Sequence, residues 1–559
     1  MKFSGGLFGK TVATATGVVL AAATSAGCLD FGEDESLPND DDPIFSDVEQ
    51  DLTDFSSSCA VSNGGATVTV SFPGPVVLLV QKTSTGLLML NGSTDCGGTT
   101  VAIGTGTLVT DLQIDGGGST DTVILDFLNG LFLGGTGGAD AVIDIDLAGG
   151  ADSLRIRGTK TADVFTLGTA VAATDPINVK TAADTNIDVN ATGIESIVLS
   201  GGTGIDSIKA AGGGSDANVV FPVAAAIAFY GGDGNDTLAG GVGNDTFSGG
   251  AGTDTVDYSL KTTAVDVDID GTADDGENNG AGADETDNVG TDVENVTGST
   301  TVANTLTGTA GASLVANVLV GGAVADTISG GDGNDTLTGG AGADTLNGGA
   351  GTDILNGGDG DDTLNGDDGA DTLNGDSNDD TLAGGDGDTL VDTMNGGAGD
   401  DTFDLGAVTN GADVINGGAG TDTASYASRT AAVTVTIGVT TTGNGDGESS
   451  ENDNVAVDVE NVTGSSTVGS TLTGSTVANT LEGGSGADTI NGGLGDDYLV
   501  GGTGADTLNG GCAVACANDG DDIIEANDSV VDTAIDGGAN DDICIVDAGD
   551  SGIVSNCEG

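Results

Sequence analysis

From Gly231 onward the chain returns to one pattern every nine residues, Gly-Gly-x-Gly-x-Asp-x-Leu-x with small variations. A first block fills residues 231–257 (GGDGNDTLA, GGVGNDTFS, GGAGTDTVD). The second and longest runs from Gly330 to Ala383 (GGDGNDTLT, GGAGADTLN, GGAGTDILN, GGDGDDTLN, then GDDGADTLN and GDSNDDTLA). A third covers residues 483–509 (GGSGADTIN, GGLGDDYLV, GGTGADTLN), and isolated copies stand at Gly396 and Gly417. Strict GGxGxD occurs thirteen times, counting the forerunner Gly201-Gly202-Thr203-Gly204-Ile205-Asp206. Recurrence in register on this scale points to stacked coils, each burying its apolar residue against the next, and not to a thick globular core.

The repeat can be read physically. Its last three residues make a minimal strand whose middle member, such as Leu238, Phe247 or Leu337, faces inward. Its first six make a tight turn in which Gly adopts backbone conformations closed to other residues. A turn plus a strand is half a coil, so eighteen residues close one coil. Asp236 and Asp254 then share one edge, and Asp245 lies on the other. Strands in a sheet are ~4.8 Å apart, and two carboxylates at that separation repel by roughly 3.5 kcal/mol at an effective dielectric of about 20. One aliphatic residue per strand is a weak counterweight. A calcium ion between stacked turns reverses the sign, because calcium takes six to eight oxygens of the kind that carboxylates and turn carbonyls supply. Metal binding is then expected to carry much of the folding free energy.

Composition narrows the chemistry. There are 88 Asp and Glu against 10 Lys and Arg, a net charge of −78, and no His. Without His there is no Ser-His-Asp or Cys-His nucleophile, no HExxH zinc site and no imidazole acid-base group. The charge argues against nucleic acid and anionic membranes as partners; cations are the expected partners. Diffuse salt adaptation would scatter the acids, whereas here they recur at the sixth position. A disordered Gly/Asp tract would lack the inward apolar residue at the eighth.

These blocks resemble the repeats-in-toxin (RTX, haemolysin-type) calcium-binding family, whose repeats form a parallel β-roll. The resemblance covers residues 231–257, 330–404 and 483–509. It implies several calcium ions as cofactors, held by turn carbonyls and by Asp236, Asp245, Asp254, Asp335, Asp344, Asp353, Asp362, Asp371, Asp380, Asp488, Asp497 and Asp506. Pairing positions eighteen apart gives six complete sites: Asp236/Asp254, Asp335/Asp353, Asp344/Asp362, Asp353/Asp371, Asp362/Asp380 and Asp488/Asp506. The turns of Asp371 and Asp380 lack the second Gly. Many family members leave the cell by an uncleaved C-terminal signal; the N-terminal leader and Cys-rich C-terminus here point elsewhere.

Residues 1–27 read as an export signal, with Lys2 and Lys10 ahead of the apolar run Val12 to Ala23. Ser25-Ala26-Gly27-Cys28 resembles a bacterial lipobox, with Ser25 where Leu is usual, and implies lipidation at Cys28. The alternative is cleavage after Ala26 and a soluble product. Residues 28–54, with ten acids by Asp51 and no base, read as a disordered tether. Residues 55–230 read as short strands of a degenerate solenoid. Repeat blocks then occupy 231–257, 321–422 and 479–511, separated by two β inserts, 258–320 and 423–478. The inserts are duplicates: Val293-Glu294-Asn295-Val296-Thr297-Gly298-Ser299 returns as Val459-Glu460-Asn461-Val462-Thr463-Gly464-Ser465. Residues 512–559 read as a Cys-rich cap. Cys59 is expected to pair with Cys96. Cys512, Cys516, Cys544 and Cys557 leave three connectivities open, with a Cys₄ zinc site the lesser alternative in an oxidising compartment.

The expected fold is thus all-β: a parallel β-roll with an N-terminal solenoid-like region. The expected function is calcium binding in an exported, non-catalytic surface or secreted scaffold of adhesion type, with extracellular matrix or polysaccharide as candidate partners. The alternative is a calcium-stabilised carbohydrate-active enzyme with a carboxylate pair in residues 55–230, though sugar-platform aromatics are scarce. A pore-forming toxin lacks the long apolar or amphipathic stretch it would need.

Overall fold

A computed structural model describes strand backbone between residues 19 and 209 and the chain from 227 to 557, except for 242, 279–284, 312–313, 386–388, 439–451, 512–518 and 551–552. Apart from the strand Val19–Ala21, the leader and the tether lie outside the described residues, as do Cys28, Cys59, Cys96, Cys512 and Cys516. The chain is all-β, a parallel β-solenoid with no helix among the described residues. It divides into two units, residues 1–256 with 286–293, and residues 257–285 with 294–559.

In the first unit, rungs stack in parallel with like residues in register. Leu154 lies between Val123 and Ile197, and Ile156 between Leu125 and Leu199. The file continues from Leu199 to Phe229, Phe247 and Val289. All of these side chains are buried, and the Phe229 and Phe247 rings stack at 5.1 Å. Three strands, Asp163–Leu167, Asp175–Thr181 and Asn186–Thr192, add an antiparallel meander.

The second unit is built from three-residue strand cores in which the middle residue is buried, as in Thr336-Leu337-Thr338. The eighth-position residues form continuous files. One runs Leu319, Leu337, Leu355, Leu373, Met394, Ile415. The opposite file runs Leu306, Ile328, Leu346, Leu364, Leu382, Phe403 and on through Ala424 and Val462 to Leu481, Leu499 and Ile524. Each buried Leu or Ile is worth roughly 1.5–3 kcal/mol, a thin core for nine ordered residues.

Both inserts belong to these stacks. Val267 pairs with Leu306, and Val435 pairs with Leu472, which pairs with Ile490. The C-terminal segment continues them too: Ile523–Ala526 and Ala534–Asp536 pair in parallel with Tyr498–Val500 and Thr507–Asn509. Of the four C-terminal cysteines, Cys544 and Cys557 are disulfide-bonded, with Cα atoms 5.7 Å apart.

Close stacking dictates the glycines. At the fourth position, Gly351 has φ +156° and a Cβ there would run into the carbonyl oxygen of Gly333, one coil earlier. Where the second Gly is missing, Asp367 and Asp376 take up φ of 65° and 75°, a left-handed conformation that Asp tolerates better than most residues. They keep the coil in register with Gly349 and Gly358.

Candidate metal centre

Each repeat's Asp is fixed by the turn that precedes its strand, and all twelve sequence-derived positions are buried, at 0–2% exposure. The coils are joined through them. The backbone N–H of Asp335 donates to Oδ1 of Asp353 at 2.7 Å, and the same bond links Asp236 to Asp254, Asp344 to Asp362, Asp353 to Asp371, Asp362 to Asp380 and Asp488 to Asp506. The carbonyl of the earlier Asp in turn accepts from the residue after the later one, as Asp335 O does from Ile354 N–H at 2.9 Å. Partners eighteen residues apart therefore meet as a clasp of carboxylate and amide. Asp245 departs from this spacing: it accepts from Ile227 and donates its N–H to Asp287, 42 residues on.

One carboxylate oxygen is used by the clasp. The other, Oδ2, is buried without a hydrogen-bond partner in Asp335, Asp344, Asp353, Asp362, Asp380, Asp488 and Asp497. It faces the first Gly of its own turn. A Cβ on Gly348 would lie 2.6 Å from Asp353 Oδ2 and 2.7 Å from the carbonyl oxygen of Gly366, one coil on. The same pairing of a carboxylate with a next-coil carbonyl surrounds Gly330, Gly339, Gly375 and Gly492. Two acceptors with no donor between them are unfavourable unless a cation is present. Oxygen donors of this kind suit calcium. Among the described residues no three carboxylate or thiol side chains converge on one point, so each ion would draw most of its ligands from the turn backbone.

Burial raises these carboxyls, opposed by the N–H bond to Oδ1 and reinforced by neighbouring carboxylates. Asp380 and Asp497 are pushed up to about 7, and Asp353, Asp362 and Asp488 to about 6. A proton or a cation is needed to relieve the site.

The ladder is longer than the nonapeptides suggest. Asp371 donates to Asp392 and Asp380 to Asp401, each 21 residues on, and these continue to Asp413 and Asp422. The ladder thus holds although these coils are three residues longer than the nonapeptide pair. Within the inserts the ladder is mixed: Asp287 and Asp453 carry it on from Asp245 and Asp413, whereas four other positions carry neutral side chains. Asn304, Asn317, Ser470 and Asn479 are buried and donate their N–H to Asp326, Asp335, Asp488 and Asp497. Their own side chains satisfy local carbonyls: Asn317 Nδ2 reaches Glu294 O at 2.7 Å, and Asn479 Nδ2 reaches Glu460 O at 2.9 Å. Calcium does not fit these rungs, which have no carboxylate to neutralise. Each insert instead carries a cation of its own, half-buried in the first and buried in the second. Lys261 pairs with Glu285 at 2.7 Å and Glu277 at 3.9 Å. The equivalent Arg429, fully buried, donates to Leu405 O, Val408 O and Asn410 Oδ1.

Two outer ladders escaped sequence reasoning. Fifth-position Asn and Asp side chains accept from the next coil, as Asn334 does from Thr352 and Asp400 from Thr421. Ninth-position Asn374, Asn395 and Asn416 each donate to the preceding Asn at 2.9 Å. The recurring Asn of the TLN triplets was the available signal.

A family model for four copies of the RTX calcium-binding nonapeptide repeat matches residues 230–260, 320–355, 356–391, 391–410, 407–425 and 473–508. No curated protein matches the chain. The matched segments hold the charged rungs of the nonapeptides; most of each insert, with its Lys261 or Arg429, lies between them.

Proposed function

We propose that this chain, which carries RTX calcium-binding nonapeptide repeats, takes up calcium along its buried Asp ladders and serves as an exported, non-catalytic scaffold of adhesion type. The observation that carries the calcium reading is the row of buried carboxylate oxygens left without a donor, at Asp335, Asp344, Asp353 and Asp380, each facing a carbonyl of the next coil. Bound calcium would neutralise those carboxylates and bridge adjacent turns. The chain's own residues do the rest: the Asp Oδ1 clasps set the spacing, and the glycines let the turns approach closely. With few carboxylates per ion, affinities suited to millimolar extracellular calcium are expected.

Export is supported by the leader ahead of Cys28, which we take as the lipid-bearing residue, and by the Cys544–Cys557 bond, since disulfides persist in oxidising compartments. A non-catalytic role is supported by the absence of His and by the commitment of the buried carboxylates to the ladder. The test is a calcium titration of the EGTA-treated chain, followed by circular dichroism and calorimetry. Calcium is expected to raise β-signal and melting temperature, and Asp353→Asn to lower the number of ions bound. A melt identical in calcium and EGTA would sink the reading.

A further inference from the structure

Beyond residue 508 the nonapeptide is lost. Residues 509–559 contain no GGxGxD, and successive aspartates stand at irregular intervals. The ladder nevertheless continues on both edges. On one, Asp497 N–H donates to Asp522 Oδ1 at 2.9 Å and Asp522 N–H to Asp542 Oδ1 at 2.8 Å. On the other, Asp506 N–H donates to Asp532 Oδ1 and Asp532 N–H to Asp550 Oδ1, both at 2.8 Å. The intervals are 25, 20, 26 and 18 residues, so the clasp, and not the count of residues, sets each rung.

We infer that residues 519–550 form a further set of divalent-cation sites, calcium being the expected occupant. The four carboxylates Asp522, Asp532, Asp542 and Asp550 are at most 4% exposed, and the Oδ2 of each is buried with no hydrogen-bond partner. That is the condition of Asp335 and Asp353 in the regular repeats, and unlike Asn317 or Asn479 these side chains carry no amide to satisfy a neighbour. The surroundings are again oxygen without donor: a Cβ on Gly510 would meet Asp522 Oδ2 and Gly537 O, and one on Gly537 would meet Asn556 O and Asp542 Oδ2. The Cys544–Cys557 bond closes the coil that contributes Asn556. The coil that carries Asn556 is therefore covalently closed as well as ion-bound.

This inference rests on the calcium reading above, and the two can fail separately. The full-length chain is stripped with EGTA and titrated with calcium chloride, alongside Asp522→Asn/Asp542→Asn and Asp532→Asn/Asp550→Asn. Asn retains the Oδ1 acceptor, as native Asn304 does for Ser299 N–H, so the rungs should persist. Both variants are expected to bind fewer calcium ions per chain than the wild type. Hydrogen exchange of the wild type, which requires no variant, should show protection of 519–550 rising with calcium. Equal ion counts in wild type and variants, or exchange in 519–550 indifferent to calcium, would overturn the inference while leaving the main repeats as calcium binders. Absence of any calcium uptake by the wild type would remove both.

Discussion

The aspartate at the sixth position divides its labour between two oxygens. Oδ1 accepts a backbone N–H from the coil before, which fixes spacing and register; Oδ2 is left buried and unbonded in Asp335, Asp344, Asp353, Asp362 and Asp380. The consequence is a pH dependence whose sign is unusual for a carboxylate. Burial pushes Asp380 and Asp497 up to about 7, and Asp326, Asp353, Asp362, Asp422, Asp488, Asp522 and Asp532 to about 6, from an ordinary value of 3.8. Between these values the fold holds protons that the unfolded chain has lost, so calcium-free stability is greatest near or below pH 4 and declines as pH rises toward 7. The EGTA-treated chain is therefore expected to melt higher at pH 5 than at pH 7.5. Calcium should reverse that order, because it replaces the proton, and should release protons on binding near pH 6. A calcium-free melting temperature that rises between pH 5 and 7.5 would contradict the buried-carboxylate account. The sixth-position Asp and the eighth-position Leu were legible in sequence because the nine-residue period isolates them. The amide partner of Oδ1 was not, since a backbone donor leaves no trace in residue type. Nor was the left-handed φ of Asp367 and Asp376, where Asp stands in for Gly.

At the scale of the element, a rung is charged or neutral, and this decides what holds it. Rungs through Asp335 to Asp422 are charged, and in Asp335, Asp344, Asp353, Asp362 and Asp380 one oxygen is unbonded; those through Asn304, Asn317, Ser470 and Asn479 are neutral and hydrogen-bonded within the protein. Lys261 and Arg429 supply the inserts with cations that chelation cannot remove. In EGTA the inserts are thus expected to retain amide protection after residues 330–404 have lost theirs, which hydrogen exchange resolves by segment. Asn479→Asp should make its rung depend on calcium, lowering stability in EGTA more than in calcium; an equal loss in both would argue against the charge account. The duplication of the inserts was legible from their shared Asn-Val-Thr-Gly-Ser segments. Their place inside the stack was not: without glycine-rich turns they do not scan as coils, although Val435, Leu472 and Ile490 stack in register. The C-terminal rungs were hidden for a similar reason. A clasp tolerates a longer coil so long as the chain returns to its partner, as Asp522 does to Asp497 across 25 residues.

For the whole molecule, a net charge of −78 admits two accounts that differ in which ion matters. If the acids acted mainly as a hydrated surface, any salt that screens them would stabilise the chain, and at 0.15 M the screening length is already about 8 Å. The ladder carboxylates are shielded from that screening by burial, and in the apo protein their unbonded oxygens need a ligand. Sodium, singly charged, would hold a buried carboxylate and the carbonyl of the next turn together more weakly than calcium would. Magnesium demands near-octahedral geometry and gives up its water reluctantly, which a turn built largely of fixed carbonyls accommodates poorly. Melting in EGTA with added sodium chloride should accordingly show a small, gradual rise from the exposed acids, such as Asp361 and Asp400. Millimolar calcium should give a steep rise at constant ionic strength, and magnesium a weaker one at equal concentration. Sodium matching the effect of calcium would place the stabilising charge on the exposed faces, and the buried ladders would then owe their cohesion to hydrogen bonds and the apolar file alone.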